Sequence, residues 1–198
     1  MPALILASTS PTRREMLARA GVMVDTAAPR VDEAMVRASM AAEGAPPRDV
    51  ADLLAELKAL KIAERRPEAV VIGADQVLDL DGRSLGKPET RAEARAQIAE
   101  LLGRTHRLHS AVVVCEGGRP VWRAVSTARM TMRIPSPEWI EGYLDRNWES
   151  LRGSVGGYRV EEEGVRLFSR IEGDHFTILG LPLVDLLGYL SLRGFIPG

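Results

Sequence analysis

The stretch AVVIGADQVLDLDGRSLGKP, residues 69–88, decides how the chain folds. Its first seven residues are a continuous apolar run closed by Asp75, the composition of a buried strand ending in a carboxylate. The next residues, QVLDLDGRSLG, read as a hairpin with Asp81-Gly82 at the turn. Glycines, a Gly-Lys pair and an aspartate suggest a phosphate-binding loop, but the spacing excludes one. A P-loop has four residues between its first glycine and its Gly-Lys pair, then Ser or Thr. Here three residues separate Gly82 from Gly86-Lys87, and Pro88 follows, with neither amide hydrogen nor hydroxyl.

Outward from this stretch, helices and strands are mixed. ALILAS (3–8) reads as a short buried strand. Ser10-Pro11 then opens a helix, Ser as N-cap and Pro at the first helical position, and Gly21 ends it. VMVDTAAP reads as a second strand. Residues 34–49 read as a short helix followed by a mobile loop. RDVADLLAELKALKIAERR carries apolar residues at helical spacing through Val50, Leu53, Leu54, Leu57, Leu60 and Ile62.

After the hairpin, ETRAEARAQIAELLG is a helix stopped by Gly103. HRLHSAVVVCEGGRPVWRAVSTARMTMRI predicts two long antiparallel strands around Glu116-Gly117-Gly118. Ser136-Pro137 starts another capped helix. Residues 150–164 are glycine-rich and poorly periodic. VRLFSRI is a last strand and PLVDLLGYLSLRG a last helix. There is no internal repeat and no separable linker. The expectation is one α/β domain over residues 1–198, with a mixed, partly antiparallel sheet flanked by helices.

Composition narrows the function. Of 198 residues, 45% are apolar and 27% charged, the values of an ordinary globular protein. A formal charge of -1 gives no electrostatic case for nucleic acid or an anionic membrane as partner. Cys115 is the single cysteine, so no internal disulfide is possible. The N-terminal apolar run is too short for a signal peptide, and no apolar stretch reaches transmembrane length. The expected location is cytoplasmic.

The candidate chemistry is carried by charges. Asp75 closes a strand, a common ligand position in α/β sheets. Lys87 follows the hairpin, and Glu33 lies in the loop APRVDE. Arg13 and Arg14 sit in the first turn of a helix whose amides favour anions. Lys58 interrupts an apolar helical face. Carboxylates that hold a divalent cation, with basic side chains around them, suit phosphate chemistry. Each has a blander reading: Asp75 as a turn residue, Lys58 lying along its helix, Arg13 as a solvated helix charge. Ser8 and Ser10 lack a nucleophile's pattern and read as capping and phosphate contacts. His106 and His109 lack metal-ligand spacing, and His106 reads as a hydrogen-bonded structural histidine. The three tryptophans are too scattered for a base-stacking platform, and Cys115 lies inside an apolar strand.

In order along the chain, LASTSPTRREML, VDE, LKALKIA, GADQVLDLDG, GKP, GRTH, GGY and GDHFTILGLPL resemble the motifs of the Maf nucleoside-triphosphate pyrophosphatases. The resemblance spans essentially the whole chain. It implies an elongated, two-lobed fold with a central cleft, dependence on a divalent metal (Mg²⁺ or Mn²⁺), frequent homodimers, and cleavage of a nucleoside triphosphate between its α- and β-phosphates. Carried over by motif, Ser8, Ser10 and Arg13 would contact the triphosphate. Glu33 and Asp75 would serve the metal and the attacking water, with Asp75 as proton acceptor. Lys58 and Lys87 would neutralise phosphate charge.

Two branches of the family compete. Gln76 after Asp75, and Glu161 where the dTTP/UTP branch has Gln, lean toward the 7-methyl-GTP branch. Thr12 matches neither branch, and GGY is closer to the dTTP/UTP one. Thr12, Gln76 and Glu161 are therefore the candidate specificity residues. A non-catalytic nucleotide-binding regulator of cell division is the alternative from another class.

Overall fold

The structure is a computed structural model and describes residues 2–197. Strand β3 is its axis. It runs from Val70 to Leu80 and is buried along almost its whole length. On one side β5 (Thr105–Glu116) pairs antiparallel with it from Val71 to Asp79. The other side is shared. β1 (Leu4–Ala7) runs parallel to residues 70–73, and β4 (Arg83–Leu85) pairs antiparallel with residues 78–80. Residues 74–77 have no strand partner on that edge among the described residues, and they include Asp75 and Gln76.

β2 (Asp25–Thr26), β6 (Arg119–Met132) and β7 (Phe168–Glu172) complete a sheet of order β2-β1-β3-β5-β6-β7, with β4 off that path. The β2-β1-β3 pairings are parallel and the rest antiparallel. The α/β class with a mixed, partly antiparallel sheet is thus as the sequence predicts.

Side chains alternate across a strand, and the two faces of β3 differ. Val71 and Val77 pack under α3 (Pro47–Ala63), with Leu54, Ala55 and Ala59. Asp75 shares that face. On the opposite face, Ile72 and Ala74 pack with α1 (Pro11–Arg19) and α7 (Leu183–Leu192), through Leu17, Leu186 and Leu190. Farther along the same face, Leu78 and Leu80 meet α4 (Arg91–Leu101) and α5 (Pro137–Leu151) through Ile98, Leu101 and Leu144. Between these two apolar clusters runs a polar row in register, Gln76–Ser110–Ser126. The short helix α6 (His175–Ile178) lies at this row, where Ser110 Oγ donates to the Thr177 carbonyl at 2.7 Å.

Several boundaries differ from the sequence expectation, each for a physical reason. β3 does not end at Asp75, because α3 supplies a cation there and β5 continues the ladder. The hairpin does form, with Asp81 and Gly82 both at positive φ (53° and 86°), the backbone a tight two-residue hairpin requires. In VMVDTAAP only Asp25 and Thr26 pair, at the sheet edge. Glu33 is not in a loop: it is the first residue of α2 (Glu33–Ala42), which Asp32 caps by accepting from Met35 N at 3.0 Å. No long loop follows, since α3 begins at Pro47, where the ring's fixed φ suits a first turn. Residues 150–164, read as unperiodic, hold the last two residues of α5 and then 3₁₀ turns, with Gly156 and Gly157 at positive φ. The strand expected at 165–171 starts only at Phe168, and α6 was not anticipated. No helix among the described residues is long and apolar enough to cross a membrane.

Gly73 sets the distance between α3 and β3. A Cβ there would lie 2.2 Å from the Ala55 carbonyl oxygen and 2.8 Å from Ala59 Cβ. Neither neighbour is a flexible side-chain end, so the helix itself would have to move. Gly73→Ala is expected to cost about 1–3 kcal/mol or more, the range for overpacking a core. Urea unfolding of wild type and variant checks it.

Candidate active site

At the unpaired edge of β3 opens a cleft of about 740 Å³, within the usual range for small-molecule sites. Ten residues singled out from the sequence line it: Ser8, Ser10, Thr12, Arg13, Glu33, Lys58, Asp75, Gln76, Lys87 and Glu161. Sequence reasoning missed Arg30, Arg37, Arg152 and Arg159, which line it too. Those four join Arg13, Lys58 and Lys87 as cations, against Glu33, Asp75, Glu149 and Glu161. The chain as a whole carries -1, so positive charge is concentrated here.

The floor is a ring of opposite charges. Lys58 projects from α3 and is 6% exposed; its Nζ lies 2.6 Å from Asp75 Oδ1 and 2.7 Å from Glu33 Oε1. Arg37 Nη2 closes the ring, 3.1 Å from Asp75 Oδ2 and 3.7 Å from Glu33 Oε2. Arg37 lies one helical turn after Glu33, the spacing at which helix side chains face each other; that spacing was its only signal in the sequence. Burial disfavours the Glu33 charge, but Lys58, Arg37 and Lys87 outweigh it and hold the carboxyl below its usual range. Glu33 is thereby kept ionised.

The wall at the start of α1 is built by the two serines. Ser8 Oγ accepts from Ser10 N at 3.1 Å and from Arg13 Nη1 at 3.4 Å. Ser10 is the N-cap, accepting from Arg13 N at 3.3 Å. Arg13 Nε donates to the Gly180 carbonyl at 2.8 Å, so α1 and the segment after α6 hold the guanidinium between them. Arg14 is exposed and does not line the cleft. Desolvation, then the like charge of Arg13, lowers the pKa of the Lys87 ammonium, while Glu33 and Asp75 oppose the shift.

The three specificity candidates fall in two places. Gln76 belongs to the polar row: its amide nitrogen reaches Ser110 Oγ at 3.0 Å and the Thr177 and Ile178 carbonyls at 3.1 and 3.0 Å. Thr12 and Glu161 meet at Arg159, which also lines the cleft. Arg159 Nη2 donates to Thr12 Oγ1 at 3.0 Å and pairs with Glu161 Oε1 at 2.9 Å; its Nη1 pairs with Glu162 at 3.2 Å. Arg159 lies in the unperiodic segment, where no pattern marked it.

Among the described residues, no three His, Cys, Asp or Glu side chains are grouped so as to hold a metal by themselves. Two carboxylates, Glu33 and Asp75, face the cleft together. That number fits Mg²⁺ or Mn²⁺ arriving with phosphate, since such ions are commonly held by one or two carboxylates plus phosphate oxygens and water.

A family model described as Maf-like protein matches residues 3–192. The chain belongs to the Maf family. Relatives named nucleoside triphosphate pyrophosphatase align over nearly its full length. That of Ruegeria pomeroyi is 53% identical over 193 residues, 98% of this chain and 97% of the relative. That of Roseobacter denitrificans is 53% identical over 194 residues, 98% of each. That of Caulobacter vibrioides is 52% identical over 189 residues, 96% of this chain and 94% of the relative. Among solved structures, a nucleoside-triphosphatase / dITP/XTP pyrophosphatase from Mycobacterium abscessus overlays with a TM-score of 0.46 at 15% identity, over 98% of both chains.

Another wall of this Maf cleft rests on His106. Tyr158 lines the cleft, and its hydroxyl meets His106 Nε2 at 2.7 Å. His106 is 1% exposed, its Nδ1 has no protein partner, and burial pushes its pKa down to about 4. The structural role expected for it agrees with this placement. The unfolded chain protonates His106 near pH 6.5 and the folded one only near 4. Its contribution is therefore fully present above pH 6.5 and is lost as pH falls toward 4. The loss is on the order of 3 kcal/mol at ~1.36 kcal/mol per pH unit. His106→Gln is expected to flatten the stability curve across that window relative to wild type, as urea midpoints at each pH would report.

Proposed function

We propose that the chain hydrolyses nucleoside triphosphates between the α- and β-phosphates, giving a monophosphate and pyrophosphate, with Mg²⁺ or Mn²⁺ as cofactor. The observation that carries this is the Glu33–Asp75 pair set among basic side chains in a cleft of about 740 Å³. A site for a neutral ligand has no use for so many cations, and an anion site needs no pair of carboxylates unless they hold a metal or handle water. The names of the relatives agree with the activity.

The division of labour follows from position. Arg13 and the loop around Ser8 bind phosphate oxygens, with Lys87 as a further point charge in the cleft. Glu33 and Asp75 are the residues that would hold the divalent cation, which when bound neutralises phosphate charge and polarises the P–O bonds. Asp75 takes a proton from the water that adds to the α-phosphorus as the bond to the bridging oxygen breaks. Lys58 holds both carboxylates from beneath.

For the base, we propose 7-methyl-GTP as the leading candidate, on Gln76 and Glu161. A guanine edge offers two donors to a carboxylate, and methylation at N7 makes the base cationic. The Arg159–Glu161 pair favours a second reading, dTTP or UTP, because Arg159 already offsets the charge that would prefer a cationic base. A panel of nucleoside triphosphates including 7-methyl-GTP, assayed for pyrophosphate release, decides between them. Orthophosphate with a diphosphate product would remove the pyrophosphatase reading, and binding without turnover would favour a regulator.

Asp75→Asn keeps the size and removes the charge, while Lys58 retains Glu33 as a partner. Turnover is expected to fall by roughly a hundredfold or more, the scale of a lost general base, with the thermal unfolding transition still cooperative. Near-normal turnover in the folded variant would move the proton to Glu33.

A further inference from the structure

The four carboxylate oxygens of Glu33 and Asp75 all face cations: Lys58 takes Glu33 Oε1 and Asp75 Oδ1, and Arg37 takes Glu33 Oε2 and Asp75 Oδ2. The ring is electrically neutral. A divalent ion entering alone would leave an excess of +2 in a partly buried place and would have to displace one of the two cations. The two are not equally free to leave. Lys58 is buried on α3, between Ala55 and Ala59, which pack in the core. Arg37 is 20% exposed at its side chain, on a helix with no fully buried residue. It also carries a donor without an acceptor: Nη1 is buried and has no hydrogen-bond partner in the protein. A buried donor left unpaired is costly, and an anionic oxygen in the cleft would satisfy it with a charge-assisted bond.

We propose that Arg37 stands in for the metal ion. It holds the Glu33–Asp75 pair while the cleft lacks nucleotide, and turns onto a phosphate oxygen when nucleotide and metal enter together. The proposal rests on the metal-dependent reading above and adds a consequence. The protein binds the metal poorly by itself and well with nucleotide, because the nucleotide supplies both the negative charge and the new partner for Arg37. Coupling of this kind is reciprocal: metal tightens nucleotide by the same factor.

The test is Mn²⁺ binding, read from the paramagnetic resonance of free Mn²⁺, with and without a nucleotide analogue whose α,β bridging oxygen is replaced by methylene. Arg37→Gln and Arg37→Met both remove the guanidinium. Without nucleotide, each is expected to bind Mn²⁺ roughly tenfold more tightly than wild type. The strengthening of Mn²⁺ binding by the analogue is expected to shrink by a similar factor. Equal or weaker Mn²⁺ binding in the variants overturns the proposal, and so does loss of folding in either, because Arg37 is then a brace for the carboxylates. Pyrophosphate release by wild type, measured in parallel, separates the two readings. If none is released while the variants still gain Mn²⁺ affinity, the hydrolytic reading falls and the exchange at Arg37 stands.

Discussion

Lys58 and Asp75 meet at 2.6 Å in the interface between α3 and β3, each less than a tenth exposed. A charge placed there alone would be strongly destabilising, by about 3–5 kcal/mol when a partner is removed. The pair therefore requires that helix and strand keep a fixed distance and register. Gly73 permits the approach, and the alanines of α3 keep that helix face thin enough to accept it. The same ion pair lets β3 carry an aspartate through its middle without ending there. Much of the remaining site depends on that continuation, because a β3 that stopped at Asp75 would have no second half for β4 to join.

The cleft is then a product of strand pairing. β1 leaves the edge of β3 after Gly73, and β4 takes it up at Leu78. The interval between them exposes one edge to a ligand while β5 secures the other. On the face opposite α3, the row Gln76–Ser110–Ser126 keeps two apolar clusters from merging. Polar side chains in such a row must be satisfied. Carbonyls of α6 do this for Gln76 and Ser110, which draws the segment bearing Gly180, and so Arg13, to the cleft.

Much of this was legible in the chain itself. Capping serines, an apolar run and a hairpin turn signal are local features, and they located α1, β3 and the β3–β4 turn. The candidate charges were legible because a lysine in an apolar helix face, or an aspartate in a strand, contradicts its surroundings. What the sequence concealed is relational. Arg37 and Arg159 are ordinary surface-type residues until their partners are known, and those partners lie 38 residues away for Asp75 and 147 for Thr12. The turns near Gly156 and Gly157 have no period to read. The length of β3 depended on a cation from another element, which no window on the strand contains.

Asp75 and Gln76 are neighbours in sequence and point to opposite sides of the sheet, one toward Lys58 and the other toward the Thr177 and Ile178 carbonyls. A shift of β3 by one residue would turn each to the other face. With a slip one way, Lys58 would face an amide; with a slip the other, the aspartate would be pressed against the two carbonyl oxygens that Gln76 now satisfies. Away from Gly73, where any side chain would strike α3, the apolar residues on the two faces of β3 are too alike to forbid such a slip. Two adjacent polar side chains of unlike chemistry thus give the assembling chain a means of rejecting misaligned sheets, before any nucleotide is present.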